Sequence, residues 1–321
     1  MAPSGLRPLN GSIVGQTMST SVEDRVKGML LGGAIGDGWG RPYEGSTASA
    51  DPLPLELVVT DDTQLTLATC EAIVESHAVD PASIAARFLD WFRDGRLSGL
   101  GSSTTKALRD LDAGAHWALA GAKGERAAGN GAAMRIAPLA FMLDPADEAG
   151  RRVLRDVSRI THHHDEAYAG ALAVAAAVRF AATPGYQMVR LLEDVAGILP
   201  DSQVRDRLVK YAAFGDDVEP ADIGQTWGSS GFVADSVPLA LFAARRIGHR
   251  PFAAIVGGAI GAGGDTDTIG SITGQIAGAA VGVSALSEDL LARLRGRTEI
   301  AIAAEQFARA VTAGYPGSRA M

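Results

Sequence analysis

Two short segments concentrate the acids that could do chemistry, Thr60-Asp61-Asp62-Thr63 and Asp265-Thr266-Asp267-Thr268. Each lies where a loop is expected to turn into a helix. Capping is therefore the ordinary reading of either one, because Asp and Thr are favoured caps and acids suit a first turn. A cap uses one oxygen, however, and each segment offers two carboxylates and two hydroxyls within four residues. Crowded carboxylates repel one another unless a cation neutralises them. If the two segments meet, they present an all-oxygen donor set, suited to Mg²⁺ or Mn²⁺ and wrong for thiolate or imidazole chemistry. Four carboxylates also balance two divalent cations, so the pair of segments favours a two-metal site over capping.

Three other places carry polar groups worth weighing. In Gly129-Asn130-Gly131-Ala132-Ala133-Met134-Arg135 two glycines flank an asparagine before a helix-like run. That loop is either a backbone cradle for a phosphate or sugar or an ordinary turn. Thr161-His162-His163-His164-Asp165 holds three of the six histidines. Neighbouring histidines point apart and cannot all ligate one ion, so the expectation is a loop capped by Thr161 or Asp165, with one His facing a ligand. Glu44, in a loop bounded by Gly and Pro, is either merely solvated or a general base.

The elements that must position these groups read as helices. Hydrophobic residues make up 47% of the chain and are dominated by alanine, while aromatics are only 6%; that balance favours close-packed helices over strands. Helical periodicity predicts helices over residues 22–34, 63–76, 82–92, 104–118, 151–160, 166–182 and 186–198. Further helices are expected over 202–214, 234–247, 252–262, 268–283 and 287–313, the first of the twelve ending in the glycine cluster at 32–38. Only residues 55–59 could pass for a strand, and no repeat of solenoid length is visible. The expected fold is all-α, a single compact multi-helix domain over residues 21–315. Residues 1–20, rich in Gly, Ser and Pro, read as a disordered leader or a cloning remnant, with Met18 an alternative start.

Composition also narrows the partners. A formal charge of −8 argues against a nucleic-acid backbone as the main partner, while helix N-termini could still hold a phosphorylated small ligand. The single cysteine, Cys70, excludes an intrachain disulfide and a cysteine metal site and fits a reducing, cytoplasmic setting. No apolar run reaches membrane-spanning length.

With these residues in view, the chain resembles the ADP-ribosylglycohydrolases, the group that includes the dinitrogenase-reductase-activating glycohydrolase and the ADP-ribosyl-acceptor hydrolases. The resemblance rests on Gly28-Met29-Leu30-Leu31-Gly32-Gly33-Ala34-Ile35-Gly36-Asp37 with Pro42-Tyr43-Glu44, and on Thr60-Asp61-Asp62-Thr63-Gln64-Leu65. It continues through the Gly129 to Arg135 loop, residues 158–162, and Gly263-Gly264-Asp265-Thr266-Asp267-Thr268-Ile269 with Gly278-Ala279. Any one of these is weak; five in the family's order are specific.

The resemblance implies an all-α fold around two divalent cations, Mg²⁺ or Mn²⁺, with Thr60, Asp61, Asp62, Asp265, Asp267 and Thr268 as ligands. It puts Glu44 at the family's catalytic glutamate on a flexible loop, with Asp62 or Asp265 as ligand acids able to assist proton transfer. Gly129, Asn130, Gly131, Met134 and His162 fall along the ADP-ribose cleft, and Gly231 and Phe232 flank the adenosine side. The implied reaction hydrolyses the ribosyl C1″ glycosidic bond of an ADP-ribosylated protein side chain or ADP-ribosyl small molecule. The alternatives are cleavage of another N-riboside or free ADP-ribose derivative, and a non-catalytic ADP-ribose-binding protein. The chemistry is coherent: positive charge develops at the anomeric carbon, and metals that bind ribose hydroxyls orient the sugar and acidify a bound water. One departure bears on the acceptor. Members acting on ADP-ribosyl-arginine often carry an aspartate just before a Gly-x-Thr-like segment, whereas Leu97-Ser98-Gly99-Leu100-Gly101-Ser102-Ser103-Thr104 holds no acid and Asp94 is the nearest. That weakens the case for arginine specificity.

Overall fold

Glycine, rather than a large apolar stripe, sets the central packing of this molecule. In the computed structural model, which describes residues 20–46 and 52–314, the chain forms α1 (Val22–Gly40), α2 (Asp61–Ser76), α3 (Pro81–Arg93), α4 (Ser102–Asp112), α5 (Glu148–Arg159), α6 (Asp165–Ala181) and α7 (Leu191–Ala196). It continues through α8 (Gln203–Ala212), α9 (Pro220–Trp227), α10 (Val233–Ala244), α11 (Phe252–Ile260), α12 (Thr266–Val281), α13 (Glu288–Arg293) and α14 (Arg297–Ala313). Among the described residues the only sheet is a two-residue parallel pair, β1 (Ala122–Lys123) with β2 (His162–His163). The all-α expectation holds. The expected leader, apart from Thr20, lies outside the described residues.

α1 does not stop at its glycine cluster as periodicity suggests; it runs through to Gly40. Gly28, Gly32 and Gly36 face Gly278, Gly274 and Gly270 of α12, with Gly40 against Thr266, in antiparallel register. A Cβ on any of these four α1 glycines would lie 2.0–2.5 Å from a backbone oxygen of α12. Glycine weakens an isolated helix by about 1 kcal/mol. Here it lets two backbones approach as closely as small-residue seams allow, so tertiary contact overrides local propensity. The seam also places the C-terminal end of α1 beside the N-terminal end of α12, where the Thr266 hydroxyl donates to the Gly40 carbonyl at 2.8 Å.

Other departures have local causes. α4 ends at Asp112 rather than 118 because the chain turns at Gly114, whose φ is +90°. Gly296, at φ +71°, splits the expected 287–313 helix into α13 and α14. The 186–198 segment begins as a short 3-10 turn before α7. Residues 55–59 contribute one bridge, Leu57 with Leu294. The short helix α9 was not anticipated; Glu219 and Asp222 close it with a reciprocal capping box. No helix among the described residues is long and apolar enough to cross a membrane.

Candidate active site

The two acidic segments meet. Asp61, Asp62, Asp265, Asp267, Thr268 and Glu44 all line one cleft of about 720 Å³, within the range of ~300–1,000 Å³ usual for small-ligand sites. Oxygens of Glu44, Asp265 and Asp267 lie within 4.8 Å of one another. The Thr268 hydroxyl reaches Asp62 Oδ2 at 3.3 Å across 206 residues of chain, and the Thr60 hydroxyl reaches the same oxygen at 3.2 Å. Thr60 is buried behind the wall.

At α2 the capping explanation fails on hydrogen bonds. Asp37, from α1, does for α2 what a local cap would do: its carboxylate accepts the Thr60 N–H at 2.9 Å and the Thr63 N–H at 3.1 Å. It also accepts both threonine hydroxyls, at 2.9 and 2.5 Å. With those donors taken, Asp61 and Asp62 are not needed as caps. At α12, Asp265 occupies the cap position but makes no side-chain capping bond; its Oδ2 accepts from Asn130 Nδ2 at 2.7 Å instead. Asp267 spends one oxygen on the Thr268 N–H at 2.8 Å.

The electrostatics show what such a cluster lacks. Burial, then the charges of Asp267 and Asp37, holds Asp62 well above the usual carboxylate range. Burial and then Asp37 do the same to Asp61. Asp267 is pushed up to about 9 by burial, a shared hydrogen bond with Asp265 and the surrounding acids. Asp37 rises less, to about 6, because the hydrogen bonds from Thr63 and Thr60 offset part of its burial. Asp62 Oδ1 is buried with no hydrogen-bond partner among the described residues, and a buried acceptor left open normally marks a missing partner. An unpaired carboxylate, hard oxygen donors and mutually repelling acids fit divalent cations of the Mg²⁺ or Mn²⁺ class.

The loops around this wall are tied together. Gly45 N–H donates to the Gly264 carbonyl at 2.8 Å and Gly264 N–H to the Ser46 carbonyl at 3.2 Å. The expected flexible Glu44 loop is therefore pinned to the loop carrying Asp265. Gln64, at the start of α2, exchanges two hydrogen bonds with Ser98, at 2.8 and 2.9 Å. Gly99, at φ +83°, then packs so closely that a Cβ would stand 3.2 Å from Asp61 Oδ1.

The opposite wall is built from backbone and neutral groups. Gly129, Asn130, Gly131, Met134, His162, Gly231 and Phe232, all expected along the cleft, do line it. Asn130 N–H donates to the Gly231 carbonyl at 3.1 Å and Val233 N–H to the Ala128 carbonyl at 3.0 Å, joining the two loops. A Cβ on Gly131 would meet the His162 ring at 2.8 Å, so the glycine there makes room for an imidazole. The three histidines divide as their directions require. His162 faces the cleft, His163 Nε2 bonds the Ala120 carbonyl at 2.6 Å, and His164 caps α6 through Glu166 N–H at 3.0 Å. The cap is thus His164, not Thr161 or Asp165, because Asp165 is already the first helical residue. Burial, then the Arg135 charge, pushes His162 down to about 3, which leaves it neutral.

Sequence reasoning left Asp37 out of the site. Its signal was present: it is the one charged residue between Gly28 and Gly40, in an otherwise apolar, glycine-rich stretch. Ser236, which receives the second Asn130 amide contact at 2.9 Å, had none.

The comparisons with known proteins point to one family. A family model described as ADP-ribosylglycohydrolase matches residues 18–316. The ADP-ribosylarginine hydrolase Tri1 of Pseudomonas putida is 28% identical over 89% of this chain and 79% of its own length. The ADP-ribosyl-dinitrogen reductase glycohydrolase of Rhodospirillum rubrum is 28% identical over 87% of this chain and 93% of its own. Among solved structures, one titled an ADP-ribosylglycohydrolase-related protein complex aligns with a TM-score of 0.71 and 28% identity, covering 90% of this chain and 99% of that one.

Proposed function

This chain belongs to the ADP-ribosylglycohydrolase family, whose members here are hydrolases, and on that premise we propose that it cleaves the C1″ glycosidic bond of an ADP-ribosylated acceptor with the help of two divalent cations. The observation that carries the proposal is the freedom of the acids. Asp37 caps α2 from another helix, so Asp61 and Asp62 face the cleft together with Asp265 and Asp267. Thr60, Asp61, Asp62, Asp265, Asp267 and Thr268 would hold the cations. When bound, those cations would orient the ribose hydroxyls and acidify a water.

The chain's own residues supply the rest. Glu44, beside Asp265 and Asp267, would take a proton from the attacking water, a step typically worth about 10²–10⁴ in rate. Asn130 holds Asp265 in position through its amide. The Gly129–Gly131 backbone and His162 would face the ligand's oxygens, and Phe232, bridged to Gly129, would offer an apolar face beside them. Arg126 is the one cationic side chain among the described residues that line the cleft, and a diphosphate is the ligand group it suits.

The acceptor is a protein side chain or a small ADP-ribosyl compound. The experiment is a panel: Mg²⁺- or Mn²⁺-loaded protein on arginine-, serine- and nucleotide-linked ADP-ribose, with free ADP-ribose measured. Release from at least one substrate is expected. No release from any would sink the proposal.

A further inference from the structure

Arg135 is the largest fully buried side chain among the described residues, and no step above uses it. Its Nε and Nη1 have no hydrogen-bond partner among the described residues. It sits 4.7 Å over the Phe88 ring, and no carboxylate among the described residues pairs with it. A buried, unpaired guanidinium is costly, so its single short contact matters: Nη2 donates to Thr161 Oγ1 at 2.7 Å. Thr161 Oγ1 in turn lies 2.8 Å from His162 Nδ1.

The donor and acceptor inventory leaves one consistent arrangement. A guanidinium can only donate, so the Thr161 oxygen accepts from Arg135. Thr161 is completely buried, and its one hydroxyl hydrogen has no other acceptor recorded among the described residues. That hydrogen belongs on His162 Nδ1, which must then be the unprotonated nitrogen. The ring proton is on Nε2, and Nε2 lies on the cleft side, 3.3 Å from where a Cβ of Gly129 or Gly131 would stand.

We infer that Arg135 and Thr161 are positioning residues that lock His162 as a neutral Nε2–H donor aimed into the cleft. His162 then binds an oxygen of the ligand, either phosphate or hydroxyl, and does not act as a base. The nearby guanidinium charge also opposes protonation of the ring. The relay stands on hydrogen-bond geometry alone; only the identity of the oxygen it meets rests on the ADP-ribose reading.

The test is ring-nitrogen NMR on Mg²⁺-loaded protein labelled with ¹⁵N-histidine, with His162→Gln to assign the signal. Wild type is expected to show His162 as a single Nε2–H tautomer; an Nδ1–H tautomer or an imidazolium at neutral pH would overturn the relay. Thr161→Val is expected to give a mixture of tautomers and to weaken ADP-ribose binding by about tenfold, the scale of one lost hydrogen bond, raising KM while kcat holds. Thr161→Ser is expected to restore both. An unchanged single tautomer in Thr161→Val would also overturn it. Should the wild type show the expected tautomer yet bind no ADP-ribose, the relay stands and the proposed ligand falls, so the two failures are told apart.

Discussion

The two walls of the cleft are built on opposite principles. One gathers Glu44, Asp61, Asp62, Asp265 and Asp267, acids that repel one another and are kept in place by bonds from outside the cluster: Asp37 at α2, Asn130 at Asp265. The other is backbone, glycine and a neutral imidazole, and its polar side chains are held from behind, Asn130 by Ser236 and His162 by Thr161. The first wall holds an arrangement that its own electrostatics oppose, and it keeps a buried acceptor open at Asp62 Oδ1. The second carries no such conflict. Stability and function therefore pull apart at the acidic wall and coincide at the neutral one.

That contrast can be broken most sharply at Asp62 and Asp267. Asp62→Ala or Asp267→Ala is expected to lower turnover by at least about 10³-fold, as loss of metal-based charge stabilisation of several kcal/mol would. The helical circular dichroism should survive. Global unfolding would show instead that these acids are structural caps and that the walls do not differ. Glu44→Gln should cost about 10²-fold in kcat with ADP-ribose affinity retained in calorimetry; unchanged turnover would remove it from proton transfer.

A smaller effect should appear in stability. Asp267, with Asp61 and Asp62, has its folded pKa raised above the unfolded value. The stability this contributes is complete below the ordinary carboxylate range and is lost as pH rises, through about 9 for Asp267. In a chelator, the melting temperature should therefore fall between pH 5 and pH 9, and Mg²⁺ or Mn²⁺ should remove most of that slope. A flat profile without metal would mean the acids do not repel. The smallest effect belongs to the cleft's one cationic side chain among the described residues: Arg126→Ala should raise KM for ADP-ribosyl substrates by only a few-fold, roughly the worth of one exposed charge contact. A loss in kcat as large as that of Glu44→Gln would place Arg126 in the chemistry.

Much of the acidic wall was legible because its signal is local: two carboxylates and two hydroxyls in four residues are more than a cap needs. What was hidden is what frees them. Asp37 acts on Thr60 and Thr63 across a turn of chain that spacing cannot show, and only packing reveals it. The α1 glycines read as a helix stop because propensity was considered one helix at a time. Gly28, Gly32, Gly36 and Gly40 share a four-residue spacing with Gly270, Gly274 and Gly278, so the partner stripe could have been found by comparing the two. The break at Gly296 and the short α9 escaped because one positive-φ residue or one capping box decides them. In the histidine tract one ring, His162, lines the cleft. The cap is His164 rather than Thr161 or Asp165, since His164 accepts the Glu166 N–H, a choice that residue types alone do not make.

The most direct test of the central claim is an anomalous difference map from crystals soaked with Mn²⁺ and ADP-ribose. Two peaks between the 60–62 and 265–268 segments, with ribose oxygens beside them and His162 facing the far side of the ligand, are the expected result. No peak there, or Mn²⁺ bound elsewhere on the acidic surface, would contradict it.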